Sequence, residues 1–591
     1  MMASEKTYEL SVSVGILVCL LVCFSGVAGH DLWTPDEPRV AAISLEMEQT
    51  GDAIIPRLAG KPFVEKPPLY FAVSALMLRL LGPVVGNVAA LRLTAALFGV
   101  GVLLLSFGIA GRLYGRSVGF TAALILGTME GFVENFHWIR VDAALAFFVL
   151  AAIFCAVEAL YRGHPPLLVP AGVFAGCAFL AKGLIGPALI VVAFMGLAIS
   201  GAGRSGWGVF RERSWISGAG LFFLSAAAVC SLWVVPFWLT GGNDLWHEWF
   251  WVNNFGRFSG TAAKAHMEPG APFYYILQFG MYCLPWTPWV LFWSIREALR
   301  AIKDRSVTRE SLFLATWAAG SLLLLTLSTT KRGIYLLPVL PVFAIMASRG
   351  VFMLGAEAAD TKIARWFGAY TRFWVWLCIV ILCSIAALPI LAWAGGSLIP
   401  AAVGKALLKA GYLNGVSLAC LLIGTAVAAG FGRRFSGPAR IILTSAAAYI
   451  ALFGVPANAL DSVKSMKFDV QTFAAAIPAQ ERGRVAGTGF SETMRACFYF
   501  YCGWKVPLVD DPERIRAILE NRDEAYLGVI VNRRRVEHPG TDLAKSSYNI
   551  VQQSIVGRDR GLFLIRGTNK QAIESASAGL INVSGSLRPS R

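Results

Sequence analysis

Apolar stretches close to twenty residues long recur along the chain, each closed by a short polar or basic interval. Wound as a helix, such a stretch is long enough to cross about 30 Å of hydrocarbon. Read this way, the pattern predicts about thirteen spans, at 10–29, 88–110, 118–136, 142–161, 167–181, 184–200, 215–239, 273–294, 311–327, 333–350, 373–396, 411–431 and 440–457. The first follows Lys6 and ends in Val-Ala-Gly, as a cleaved leader would, but is read as an uncleaved span that anchors the loop after it. Segment 67–82 is apolar but short, with Arg79 near its end, and is expected to lie in the membrane interface.

The pattern changes after residue 457. VAGTGF (485–490), YLGVIVN (526–532) and GLFLIRG (561–567) read as strands, and SETMRACFYFY (491–501) and DPERIRAILEN (511–521) as helices. The expected organisation is a polytopic α-helical membrane domain over 1–457, carrying an outer loop at 30–87. A small α/β domain follows over 458–570, and a Ser/Gly/Asn-rich tail over 571–591 is expected to be disordered.

Composition agrees. Of 591 residues, 56% are hydrophobic and only 15% charged, where a soluble chain carries about a quarter. Mean hydropathy is +0.61. The formal charge of +16 gathers in short loops, around Arg112/Arg116, Arg204/Arg211/Arg213, Arg296 to Arg309, Lys362/Arg365/Arg372 and Arg433/Arg434/Arg440. Those loops fall on one side, which the positive-inside rule makes cytoplasmic. The N-terminus is then inside, and the C-terminal domain is outside a bacterial-type inner membrane. The loops lack the basic and aromatic face of a nucleic-acid binder, so no nucleic-acid partner is expected. Nine of eleven cysteines lie in or beside apolar spans. Cys497 and Cys502 fit no zinc spacing, and a disulfide between them stays open.

On the side opposite the basic loops, the turns carry the candidate chemistry. TPDEPR (34–39) opens a helix with Asp36, Glu37 and Arg39. A carboxylate with proline in the first turn caps a helix, and it can equally serve as a general base beside a cation. GKPFVEKPPLYF (60–71) stiffens the chain after Glu65-Lys66, where the ammonium could meet a phosphate or simply snorkel. HWIRVDAALAFF (137–148) sets Arg140 and Asp142 at the mouth of a span, as caps or as ligands. Lys182 occupies a tight turn, His266 precedes an aromatic, proline-rich span start, and LSTTKRGIYLLP (327–338) places Lys331 and Tyr335 at another mouth. No Walker loop, dinucleotide fingerprint or metal-ligand spacing is present, so an activated substrate would be lipid-borne.

These motifs resemble the polyprenyl-phosphate-sugar-dependent membrane glycosyltransferases of the GT-C fold, and most nearly the bacterial aminoarabinose transferase and protein-mannosyltransferase-like enzymes. The matches are Asp36-Glu37 and then Gly60 to Leu69; Arg140-x-Asp142; Leu180-x-Lys182-Gly183; His266 with Pro272-Phe273-Tyr274-Tyr275 and Pro285-Trp286; and Ser328, Lys331, Tyr335 and Pro338. Arg332-Gly333, inside the last run, departs from the pattern. The resemblance implies inverting transfer of a sugar from a polyprenyl-phosphate donor to a lipid or glycan acceptor of the lipid A type, or to a protein. It implies Asp36 as base, with Asp142 orienting the base or acceptor and Glu65 orienting Lys66. Lys66 and Arg39 would bind the donor phosphate, and Lys331 and Tyr335 would line the donor cavity. Glu37, Arg140, Lys182 and His266 join as substrate-binding candidates. The resemblance singles out no cofactor, and a divalent metal held by the carboxylates stays open. A flippase of lipid-linked glycan is the rival from another class. It should carry ionisable residues at mid-bilayer, whereas here they gather at one face.

Overall fold

The computed structural model describes residues 12–201, 212–256, 259, 273–357, 361–394, 415–435, 437–454, 460–534, 548–556 and 560–567. The chain parts into two compact units. The first comprises 1–30, 47–57 and 62–460, and the second 31–46, 58–61 and 461–591. The second unit thus takes in two pieces of the loop after the first apolar run, which nothing in the local pattern announces.

The first unit is helical. Its elements are α1 (Val12–Phe24), the end of α2 (Asp36–Thr50), α3 (Leu69–Val85), α4 (Asn87–Tyr114), α5 (Arg116–Gly127), α6 (Glu130–Phe136), α7 (Asp142–Arg162), α8 (Leu168–Lys182), α9 (Ile185–Ser200) and α10 (Arg213–Trp246). After α10 a π-helical segment runs over His247–Gly256, followed by α11 (Tyr274–Tyr282), α12 (Thr287–Lys303), α13 (Arg309–Leu327), a 3₁₀ turn (Gly333–Val339), α14 (Leu340–Gly355), α15 (Lys362–Ala394), α16 (Gly415–Arg434) and α17 (Gly437–Phe453). Among the described residues, seven helical stretches are long and apolar enough to cross a membrane. α10 carries Leu221, Phe223, Leu224, Leu232 and Leu239 exposed along its length, as a lipid-facing helix does. This is a multi-pass integral membrane protein.

α3 forms over 69–85, where the interfacial segment was expected at 67–82. Tyr70, Phe71, Ala75 and Leu78 are buried, while Leu76, Leu80 and Val84 are exposed. An apolar outer face of this kind suits a lipid boundary.

Two expected spans are broken. The run 118–136 parts into α5 and α6 at Thr128-Met129, and 273–294 parts into α11 and α12 at Cys283–Trp286. The two breaks are hydrogen-bonded to one another. Glu130 N–H donates to Leu284 O at 2.9 Å, and the Trp286 indole donates to Thr128 Oγ1 at 3.0 Å. Tyr370 donates to Pro285 O at 2.9 Å. Within apolar surroundings a helix break persists only when neighbours satisfy its polar groups.

Helix packing leans on small residues. A Cβ on Gly172 of α8 would fall 2.2 Å from Phe222 O of α10, and one on Gly176 would fall 2.9 Å from Ala226 O. Close backbone approach of this kind is how helices associate where water supplies no driving force.

In the second unit a four-stranded sheet runs in the order β3-β4-β6-β5. Its strands are β3 (Val485–Thr488), β4 (Gly528–Arg534), β5 (Tyr548–Val556) and β6 (Arg560–Gly567). Two-residue strands β1 (Arg57–Leu58) and β2 (Lys61–Pro62) precede them in the chain. β3 and β4 pair in parallel; β4–β6 and β5–β6 pair antiparallel. The helices are α18 (Asp461–Lys464), α19 (Lys467–Ala475), α20 (Glu492–Cys502) and α21 (Pro512–Leu519). Alternation along the strands fills two cores. Val485, Ile530 and Leu564 pack with Phe473 of α19 and Phe498 of α20, while Ala486, Val529 and Ile565 pack with Ile518 and Leu519 of α21. The sheet is thus covered on both faces. Ser491 caps α20, its Oγ accepting from Met494 N at 3.3 Å. Cys497 and Cys502 are both free. The tail at 571–591 lies outside the described residues.

Candidate functional site

Three of the motifs meet in the first unit. Asp142 is the first residue of α7, and Lys182 the last of α8. Their side chains form an ion pair, Nζ to Oδ1, with side-chain exposures of 7% for Asp142 and 13% for Lys182. The Lys182 ammonium also sits 4.2 Å from the centre of the Tyr335 ring. Tyr335 comes from the 3₁₀ turn Gly333–Val339. An ammonium over a ring face is attracted by the ring quadrupole, more so when water is displaced. The R-x-D, L-x-K-G and S-x-x-K-x-x-x-Y runs thus converge as Asp142, Lys182 and Tyr335.

Gly183 explains why the lysine is followed by glycine. It ends α8 at φ +75° and ψ −148°, which L side chains avoid. A Cβ there would fall 2.5 Å from Asn254 Oδ1. The sharp turn fixes the last residue of α8, and with it Lys182.

Arg140 reaches Asn135 Oδ1 at 2.6 Å and stacks 4.3 Å from the centre of the Trp138 ring. Lys331 donates to Ser328 O at 3.1 Å, which folds its side chain back over its own turn. The Tyr275 hydroxyl meets the backbone of Arg332 at 3.4 Å, donating to its carbonyl and accepting from its N–H. Gly333 lies against Tyr282 and Gln278, where a Cβ would be 2.8 Å from either side chain. The Arg332-Gly333 departure therefore coincides with a close approach of the Gln278 and Tyr282 side-chain ends. Glu65 and Lys66 are half-buried, flanked by buried Phe63, Val64, Pro67 and Pro68. His266 lies outside the described residues.

The acidic pair belongs to the second unit, and its two members do different things. Asp36 begins α2, and Arg39 one turn on donates from Nη2 to Asp36 Oδ1 at 2.5 Å. Arg39 Nη1 donates to Glu492 Oε2, at the start of α20, at 2.9 Å. Glu37 turns inward. It is 1% exposed, and its Oε2 accepts the Trp33 N–H at 2.7 Å. That hydrogen bond ties the Glu37 carboxylate to the loop before α2.

The rest of segment 31–46 is pinned as firmly. Asp461 accepts the Asp31 N–H at 3.0 Å and the Trp33 indole N–H at 2.8 Å. Tyr501 accepts the Leu32 N–H at 3.1 Å, and Lys464 O accepts the Thr34 N–H at 3.0 Å. Lys467 pairs with Asp31 at 3.0 Å. Glu46, with 2% of its side chain exposed, pairs with Lys505 at 2.7 Å and accepts the Gly60 N–H at 3.1 Å. Asp461, Lys464, Lys467, Tyr501 and Lys505 were not candidates from sequence, because each lies hundreds of positions from the segment it holds. The Ser491 cap alone had a local signature, and it fixes the start of the helix that presents Glu492.

Burial pushes the Cys497 and Cys502 thiols up. It draws Arg495 of α20 down, against the opposing pull of Glu492 and Asp510. Among the described residues, no three His, Cys, Asp or Glu side chains gather to hold a metal ion.

Residues 65–233 match the family described as dolichyl-phosphate-mannose-protein mannosyltransferase. The chain is 29% identical over 374 residues to the undecaprenyl phosphate-alpha-4-amino-4-deoxy-L-arabinose arabinosyl transferase of Aeromonas hydrophila, covering 61% of this chain and 63% of that one. It is 30% identical to the protein of the same name from Edwardsiella ictaluri over 341 residues, covering 56% and 57%. The matches thus span under two thirds of these relatives. Among solved structures, ArnT from Cupriavidus metallidurans aligns with a TM-score of 0.69 at 20% identity, covering 94% of this chain and 97% of that one, both in the apo state and bound to undecaprenyl phosphate. That likeness fixes the fold.

Proposed function

We infer that this chain, a member of the aminoarabinose-transferase-like group of GT-C-fold membrane proteins, is a glycosyltransferase. It moves a sugar from a polyprenyl-phosphate donor to an envelope lipid or glycan of the lipid A type. The basic loops face the cytoplasm, and the motif-bearing turns and C-terminal domain lie outside the inner membrane.

The observation that carries this reading is the convergence of Asp142, Lys182 and Tyr335 from three separate motifs. An ammonium held in a half-dry setting by one carboxylate and one ring is a fixed positive charge, of the kind that stabilises a departing phosphate. The relatives whose names include undecaprenyl phosphate support a donor of that class.

In the second unit, Asp36 takes the proton of the acceptor hydroxyl, whose oxygen attacks the anomeric carbon. Direct attack inverts that centre. Arg39 pairs with Asp36 and meets phosphate charge. In the first unit, Lys66 binds the donor phosphate and Glu65 orients it. Asp142 holds Lys182, while Tyr335, Lys331 and Arg140 line the donor path, with His266 beside it. The bond to phosphate breaks, and the polyprenyl phosphate leaves as an anion matched by these cations. No step needs a metal ion, although a divalent ion at the carboxylates would serve the same charge.

The match to the family described as a protein mannosyltransferase favours one second reading, a protein acceptor with the same donor type. The test offers polyprenyl-phosphate sugars to proteoliposomes with lipid A or with Ser/Thr peptides, read by mass spectrometry. A sugar increment on the lipid supports the first reading and an increment on peptide the second. Passage of labelled lipid-linked sugar across the bilayer, with neither product, overturns both in favour of a flippase.

A further inference from the structure

Arg39 divides its guanidinium between two carboxylates on different elements of the second unit. Nη2 meets Asp36 Oδ1 at 2.5 Å, within the first turn of α2. Nη1 meets Glu492 Oε2 at 2.9 Å, at the first residue of α20. Asp36 is 14% exposed, Arg39 20% and Glu492 38%, so the bridge runs from a half-dry carboxylate out towards solvent.

Glu492 is aimed by a built helix start. Ser491 caps α20, and a carboxylate in the first turn suits the positive end of the helix. The next residue, Thr493, donates from Oγ1 to Pro35 O at 3.2 Å, which ties the same helix start to the residue before Asp36. Two adjacent residues of α20 thus grip both ends of the Pro35–Arg39 turn.

We propose that Glu492 is a positioning residue for the transfer reaction, acting on Asp36 through Arg39. The inference rests on the reading of Asp36 as the base. A guanidinium presents a fork of donors that matches one carboxylate in bidentate fashion. Left with Asp36 alone of these two carboxylates, Arg39 rotates to offer both nitrogens to it. That covers the oxygen lone pairs which must receive the acceptor proton and weakens the base. Glu492 holds Nη1, so that the fork is divided between the two carboxylates. The C-terminal domain thereby sets the geometry of the base without touching substrate.

The experiment compares Glu492→Gln, Glu492→Asp and Asp36→Asn with wild type in steady-state transfer, using a polyprenyl-phosphate sugar and lipid A in proteoliposomes. Glu492→Gln keeps shape and removes the charge. Its kcat should fall on the order of ten- to a hundredfold, below the 10²–10⁴ that a general base contributes, with KM for the donor unchanged within about twofold. Glu492→Asp retains the charge and should recover most of kcat. The melting temperature of both should match wild type, because Glu492 is exposed and surface changes cost little. Wild-type kcat in Glu492→Gln alongside an inactive Asp36→Asn overturns the positioning role alone. So does a loss that Glu492→Asp does not restore. Full activity in Asp36→Asn overturns the base assignment beneath it. If Glu492→Gln fails to fold, Thr493→Val, which loosens the same grip at Pro35, takes its place with the same expected loss of kcat.

Discussion

Lys182→Met leaves the Asp142 carboxylate without its ammonium inside the first unit. Only 7% of that side chain is exposed, so little water is at hand to replace the lost partner. Removing one member of a buried ion pair costs about 3–5 kcal/mol. The lost contact with the Tyr335 ring adds roughly 0.5–2 kcal/mol. Methionine fills the space of the lysine stem, so no cavity term enters. Adding Asp142→Asn removes the stranded charge and should bring stability back to within about 2 kcal/mol of wild type, since replacing both partners of a buried pair is often close to neutral. Transfer activity should stay lost in the double variant. Unfolding in mixed micelles, followed by tryptophan fluorescence with transfer measured on the same preparations, separates the two effects. A single variant as stable as wild type, or a double variant no better than the single, would refute a buried Asp142–Lys182 pair.

Gly183→Ala places a side chain at φ +75°, with its Cβ 2.5 Å from Asn254 Oδ1. It should cost roughly 1–3 kcal/mol through backbone strain and lower kcat by displacing Lys182, as steady-state assays of a folded preparation will report. Burial raises the Cys497 and Cys502 thiols, so less thiolate is present at a given pH than for a free cysteine, and the thiolate is the reactive form. Both should alkylate slowly at pH 8 in the native protein and fully after denaturation, with intact-mass analysis showing no disulfide; rapid native labelling would contradict the burial.

The spans were legible because lipid demands long apolar runs, and α4, α7, α9 and α13 fall within a few residues of where the pattern puts them. The breaks at Thr128-Met129 and Cys283–Trp286 were not. A hydropathy window sees Trp286 and Thr128 as residues inside apolar runs, and cannot see that each break supplies the partner for the other. In the second unit, Ser491 announces the helix it caps, and β3, β4 and β6 read as apolar strands. Strand β5, Tyr548–Val556, was missed because its Asn-Ile-Val-Gln-Gln-Ser-Ile-Val run mixes polar and apolar residues without strict alternation. Of the candidate site, Asp142, Lys182 and Tyr335 were each singled out separately, and only folding brings them into contact. Glu37 looked like a second acid beside Asp36. Its neighbour in sequence gave no sign that a helix start turns consecutive side chains about 100° apart, one towards Arg39 and the other into the loop. Glu492, Asp461 and Tyr501 carried no local signal, because their contribution exists only once the distant ends of the chain meet.

The most direct measurement is transfer by wild type and Asp36→Asn, side by side in proteoliposomes, from an undecaprenyl-phosphate aminosugar to lipid A, with products read by mass spectrometry. The account predicts one sugar increment on lipid A with wild type and its loss, by at least about a hundredfold, in the variant. Equal transfer by both proteins would contradict Asp36 as the base. No increment with wild type, while labelled donor crosses the bilayer, would contradict the glycosyltransferase itself.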